Sequence, residues 1–168
     1  MIHVCSLARL HDTVSETGAR HVVTLIKDIS LVSRPHAVPP EQHLMLDMDD
    51  ISEPIEGYVL PGREHVSQLI EFVGGWDRTA PIVVHCYAGI SRSTAGAYVA
   101  ACALNPGRSE LAIARAIRTA SPTAMPNARF VALADRALGR GGRMTAAIQQ
   151  IGPGAVAYMA DPFRLDLD

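Results

Sequence analysis

The sequence predicts an α/β fold: a sheet with helices packed against it. Three observations carry this. Short β-branched apolar runs alternate along the chain with stretches of helical period. One run, residues 81–86 (PIVVHC), is apolar almost throughout, the pattern of a central strand covered on both faces. The chain is 168 residues long with 48% hydrophobic residues, enough for one domain with a sizeable core. Only 5% of residues are aromatic, so that core is built from Ala, Val, Leu and Ile.

The elements follow in order. Residues 1–7 (MIHVCSL) read as a buried strand. Residues 8–19 read as a helix, with Leu10 and Val14 four apart. Residues 21–26 (HVVTLI) are β-branched and apolar, a second strand. Residues 30–41 hold Pro35, Pro39 and Pro40 and read as loop. Residues 42–48 (QHLMLDM) alternate weakly, a third strand. Residues 49–62, with two prolines and two glycines, read as a second long loop. In 62–75, Val66, Leu69, Ile70 and Val73 repeat at i, i+3, i+4, i+7. That spacing predicts a helix ended by Gly74 and Gly75.

After the strand at 81–86 comes a short glycine-containing turn, then a helix over 93–104 rich in small residues. Ser109 is placed to cap a helix over 110–120. Residues 121–127 (SPTAMPN) are loop, 128–138 helix, and 143–151 a last short helix. The expected domain is 1–152. The Pro/Gly-containing segment 153–168 is expected to be a loose C-terminal tail.

Charge and cysteine content exclude several classes. Fifteen basic and 17 acidic residues give a net charge of −2, which argues against nucleic-acid binding through bulk electrostatics. Fourteen of the basic residues are arginine and Lys27 is the one lysine, a bias expected of a GC-rich, bacterial genome. Cys5, Cys86 and Cys102 form no CxxC pair, so neither a disulfide framework nor a zinc knuckle is expected. The N-terminal residues lack a basic n-region, and no apolar stretch approaches ~20 residues. A cytoplasmic location and no membrane partner are the expectation. The histidines have no ligand spacing, so no metal and no cofactor are expected. Composition leaves the oligomeric state open.

In α/β sheets, ligands bind beyond the carboxyl ends of the strands. The run 81–86 ends at His85-Cys86 and continues Tyr87-Ala88-Gly89-Ile90-Ser91-Arg92-Ser93. A tight turn followed at once by a helix directs successive backbone N–H groups and the positive end of a helix dipole into one hollow, a cradle for a phosphate dianion. Gly89 lets the turn close. The same field favours Cys86 as a thiolate nucleophile. Arg92 is suited to hold two phosphate oxygens. Ser93 is placed to hydrogen-bond the Cys86 sulfur when it becomes the leaving group.

This stretch resembles the HCxxGxxRS signature of the cysteine-dependent protein tyrosine phosphatases, most of all their small dual-specificity branch. The resemblance continues in HLMLDMDDI upstream and SPTAMPN downstream and covers roughly residues 1–140. It implies a largely parallel sheet of about five strands with helices on both faces. It also implies a metal-independent phosphomonoester hydrolase acting through a Cys86 thiophosphate on phosphorylated proteins or small phosphomonoesters. In this reading Tyr87, Ala88, Gly89, Ile90, Ser91 and Arg92 form the phosphate-binding loop. A two-step mechanism needs a general acid. The resemblance points to Asp50, with Asp49 and Asp47 left open. It also makes Asn127 a brace behind the phosphate loop, a role compatible with capping the helix at 128, and His85 an organiser of the loop. Cys5 and Cys102 are expected in the core.

Other readings remain open: an inositol-phosphate, phosphoinositide or RNA 5′-phosphatase, or a catalytically weak phosphate-reading module. A sulfurtransferase also uses a Cys-headed loop, but the Arg-Ser ending and the flanking segments fit it less well. The arginine-rich stretch 108–143 is expected to be solvated helix surface, with phosphate steering as the alternative.

Overall fold

The computed structural model describes residues 1–167. Five strands form one sheet: β1 (Ile2–Ser6), β2 (His21–Leu25), β3 (His43–Leu46), β4 (Ile82–Cys86) and β5 (Phe163–Leu165), in the order β3-β2-β4-β1-β5. The first four run parallel, and β5 pairs antiparallel with β1. β4 sits in the centre, and all five of its residues are buried. Its apolar run, broken only by His85, is what that position requires, because both faces of the strand meet helices.

Six helices complete the fold: α1 (Leu10–Thr17), α2 (Arg63–Gly74), α3 (Arg92–Leu104), α4 (Glu110–Ala120), α5 (Ala128–Ala137) and α6 (Arg143–Ile151). Side-chain alternation puts α1 and α3 on opposite faces. Gly96 of α3 approaches Val84 and Leu25, whereas Cys5, which is paired with His85, points to the other face, toward Thr13 of α1. Residues Ser93 to Cys102 of α3 are all buried. A helix buried all round needs small residues, and the sequence supplies Ala and Gly. At Gly96 an added Cβ would lie 3.1 Å from a Val84 methyl and 3.2 Å from a Leu25 methyl, so the helix rests directly on the sheet.

Caps set the helix starts. Ser109 Oγ accepts from Ala112 N, and Asn127 Oδ1 accepts from Phe130 N. α6 has a remote cap instead: the buried Asp135 carboxylate accepts from the N–H groups of Gly142, Met144 and Thr145. Glu110 of α4 pairs with Arg140 and Arg143 at 3.1 Å each and ties α4 to the start of α6.

The expected loose tail is corrected by β5. Phe163 and Leu165 are buried and pair with Val4 and Ile2. A three-residue strand is too short to show a period, so the sequence pattern missed it. The stretch before β5 is pinned as well. Arg118 donates to the carbonyls of Ile151, Gly152 and Ala124, each at 2.8 Å, and Ala155 N donates to Pro122 O at 2.9 Å. β3 ends at Leu46, so Asp47 lies just outside the strand.

Gly96→Val forces two methyls into the contact between α3 and the sheet. The expected loss is about 1–3 kcal/mol, as for other overpacked cores. It is read as a lower urea midpoint at unchanged slope.

Candidate active site

β4 delivers Cys86 to the carboxyl end of the sheet, and the chain turns at once through residues 87–91 into α3. Gly89 makes this turn possible for two reasons. Its φ is +76°, and a Cβ there would lie 3.0 Å from the backbone of Cys5 and Ser6. The loop thus lies against the end of β1. Gly89 N donates to Cys86 Sγ at 3.3 Å, and Cys86 Sγ lies 3.1 Å from Ser93 Oγ. Cys86 is buried at the base of this hollow.

A loop that aims its N–H groups inward must turn carbonyls outward, and each needs a donor. Four different segments supply them. Tyr87 O accepts from Leu7 N, Ala88 O from Ala160 N, Ile90 O from Met125 N, and Ser91 O from Ala95 N and Asn127 N. Thr94 Oγ1 adds a bond to Ile90 O at 2.6 Å and one to Ser91 O at 3.0 Å.

Arg92 Nη1 donates to Met48 O at 2.7 Å, and its Nε is buried with no protein partner. A buried guanidinium N–H without an acceptor is costly unless an anion completes it. Asp50 Oδ1 accepts from Ser91 Oγ at 2.7 Å and from Asn127 Nδ2 at 2.9 Å, so this carboxylate sits on the rim of the loop. Asp49 is turned away: its Oδ2 accepts from Val59 N at 2.7 Å and pairs with Lys27 at 3.3 Å. Asp47 accepts from Asp28 N. Of the three aspartates left open by the sequence, Asp50 is the one in contact with the loop.

Asn127 does more than expected, and in a different place. It caps α5, but its side-chain amide braces the loop after β3 through Asp50 and through Ile51 O at 3.3 Å. Its tie to the loop 87–91 is its backbone N–H to Ser91 O. His85 is fully buried and its Nε2 bonds Thr24 Oγ1 at 2.6 Å, while Thr24 Oγ1 also bonds His43 Nε2 at 2.8 Å. It thereby ties β4 to β2 and β3 beneath the loop.

Burial pushes the His85 pKa down to about 3, and burial pushes His43 to about 4. Burial raises the Cys5 thiol to about 11 and the Cys102 thiol to about 12, as befits core residues. Thr94, Leu7, Met125 and Ala160 escaped the sequence reading. Thr94 carried a signal, a hydroxyl four residues after Ile90 in the first turn of a helix. The others act through backbone N–H groups, which any residue carries.

No protein-family model matches the sequence, and no curated protein matches it. Solved structures do match. The PTP-2 phosphatase of Cydia pomonella aligns at 18% identity over 80% of this chain and 84% of that one, with a TM-score of 0.63. Human DUSP28 aligns at 18% identity over 83% and 88%, with a TM-score of 0.61. PTPMT1 aligns at 15% identity over 89% and 95%, with a TM-score of 0.62. The chain has the dual-specificity phosphatase fold. Within that fold the Cys86 loop, Arg92 and Asp50 all stand at the carboxyl end of the parallel strands.

The buried rings give a pH prediction. A free histidine titrates near 6.5. His85 and His43 stay neutral in the fold well below that, so only the unfolded chain takes up their protons. Stability therefore falls as pH drops from about 6.5 toward 4, by up to about 1.4 kcal/mol per pH unit for each ring. Urea midpoints measured across this window check it. His85→Asn should lower the midpoint at pH 7 and flatten the slope.

Proposed function

We propose that this protein is a metal-independent phosphomonoester phosphatase of protein-tyrosine or dual-specificity type. The observation that carries the reading is the convergence on one loop of the Cys86 sulfur, the unpartnered Arg92 Nε and the Asp50 carboxylate. Each is the group one step of the reaction needs.

In the first step the Cys86 thiolate attacks phosphorus in line with the leaving oxygen. A P–S bond forms, the P–O bond breaks, and Asp50 protonates the departing oxygen. The loop N–H groups and the Arg92 guanidinium hold the equatorial oxygens, whose charge grows in the transition state. Asp50 Oδ1 already accepts two hydrogen bonds, which leaves Oδ2 to carry the proton. In the second step Asp50 takes a proton from water, water attacks the thiophosphate, and the sulfur leaves. Ser93 Oγ, 3.1 Å from Sγ, donates to the sulfur as its charge returns.

The variable loop positions Tyr87, Ala88, Ile90 and Ser91 bring no cation. That favours a single phosphoryl group over inositol polyphosphates. Phosphorylated proteins are the expected substrates.

Cys86→Ser should abolish release of phosphate from phosphotyrosine peptides and p-nitrophenyl phosphate, in the presence of chelator as in its absence. Undiminished turnover would overturn the reading. Asp50→Ala should lower kcat about 10²–10⁴-fold on alkyl and unactivated aryl esters, with KM little changed. The loss should be smaller on p-nitrophenyl phosphate, whose leaving group needs less protonation. Ser93→Ala should slow the second step selectively, seen as a burst of p-nitrophenol followed by slow turnover.

A further inference from the structure

Large apolar side chains are exposed in an uneven way. Among the described residues ten are exposed, and nine of them stand on segments at the carboxyl end of the parallel strands. Four lie on the loops after β2 and β3, at 29–31 and 55–58. The other five are Tyr87, Met125, Val156, Tyr158 and Met159, on segments bonded to the phosphate loop or belonging to it. Val156 and Tyr158 are as exposed as in a free extended chain, at 104% and 103%.

These side chains do not belong to a loose tail. Arg118 clamps Ile151, Gly152 and Ala124, Ala155 N bonds Pro122 O, and Ala160 N bonds Ala88 O of the phosphate loop. At Gly154 an added Cβ would lie 2.5 Å from Thr123 O, so the strap lies in direct backbone contact with the loop before α5. A strap fastened at both ends holds Val156, Tyr158 and Met159 out in water beside the phosphate loop. A fixed apolar patch of this kind beside a site marks an interaction surface.

We propose that residues 155–159, with Tyr87 and Met125, form a docking platform for apolar side chains that flank the phosphorylated residue of a polypeptide substrate. This rests on the phosphatase reading and deepens it. Charge selects the occupant. Asp28, Glu53, Glu56 and Asp161 are exposed on the segments that carry the apolar groups. The cations there are Lys27, which pairs with Asp49, and Arg34, which donates to Val38 O. Bilayers that present phosphomonoester headgroups are anionic and attract basic surfaces, so an acidic apolar face fits them poorly. It fits a peptide of apolar and basic residues.

The test compares the wild type with Val156→Ser/Tyr158→Ser, both sites being exposed and outside the phosphate cradle. Substrates are p-nitrophenyl phosphate and two phosphotyrosine peptides of equal charge, one flanked by Leu and Val and one by Ser and Gly. The wild type should favour the apolar peptide through KM. The double variant should raise that KM about tenfold while leaving the other two substrates within twofold. An equal change on all three, or none, overturns the platform. So does tight binding of the wild type to phosphatidylinositol-phosphate vesicles that the variant loses. So does a dimer by sedimentation that the variant dissolves. A wild type that hydrolyses none of the three overturns the phosphatase reading instead. Calorimetric titration of both proteins with the two peptides then decides the platform alone: selective loss of apolar-peptide binding supports it, and equal binding refutes it.

Discussion

The loop after β4, residues 87–91, is held from behind. Inward N–H groups impose outward carbonyls, and a buried carbonyl without a donor is expensive. Here the carbonyls of Tyr87, Ala88, Ile90 and Ser91 are met by the end of β1, by the strap before β5, by the loop before α5 and by α3 with the cap of α5. Segments far apart in sequence must therefore arrive together before the loop has its shape. The loop is short and local, but its conformation is a property of the whole sheet end.

That constraint gives the C-terminal segment its place. β5 on the edge of β1, together with the Arg118 clamp before the strap, brings Ala160 N to Ala88 O. The arginines serve the same end. Of the seven in 108–143, Arg108 donates to Asp166 O, Arg118 to three carbonyls, Arg129 to Pro61 O, and Arg140 and Arg143 pair with Glu110. Solvated surface describes Arg143, whose side chain is 59% exposed, but not the buried Arg140 or the partly buried Arg108, Arg118 and Arg129. A planar fork of donors spans several carbonyls at once, which a lysine ammonium does less well. An arginine-rich chain can fasten loops this way without adding strands.

The parallel core, its helices and the loop after β4 were legible because each has a local signature. β4 is a continuous apolar run, α2 and α5 carry a 3.6-residue stripe, and Cys86, Gly89, Arg92 and Ser93 are side chains with distinct chemistry. What was hidden lacked one of these. β5 is three residues long. The role of Asn127 at the acid loop depends on Asp50, 77 residues away, which no spacing reveals. Asp50 and Asp49 are adjacent and chemically identical, and only the fold turns one toward Ser91 and the other toward Lys27.

The loop after β3 is built as a fixture and not as a free lid. Asp49 N bonds Val59 O and Val59 N returns to the Asp49 carboxylate, which closes the loop on itself. Lys27 Nζ adds Gly57 O at 2.8 Å, and Arg129 Nε adds Pro61 O at 2.8 Å. Asp50 projects from this frame into bonds with Ser91 and Asn127, so acid and cradle share one network. A carboxylate held in place brings no loop-ordering cost to the moment a ligand binds, which puts the energy of contact to use in orientation. The same rigidity fixes the rim around the cradle. Selection among substrates then falls to whatever side chains that rim presents to water, and at this end of the sheet those are apolar and acidic.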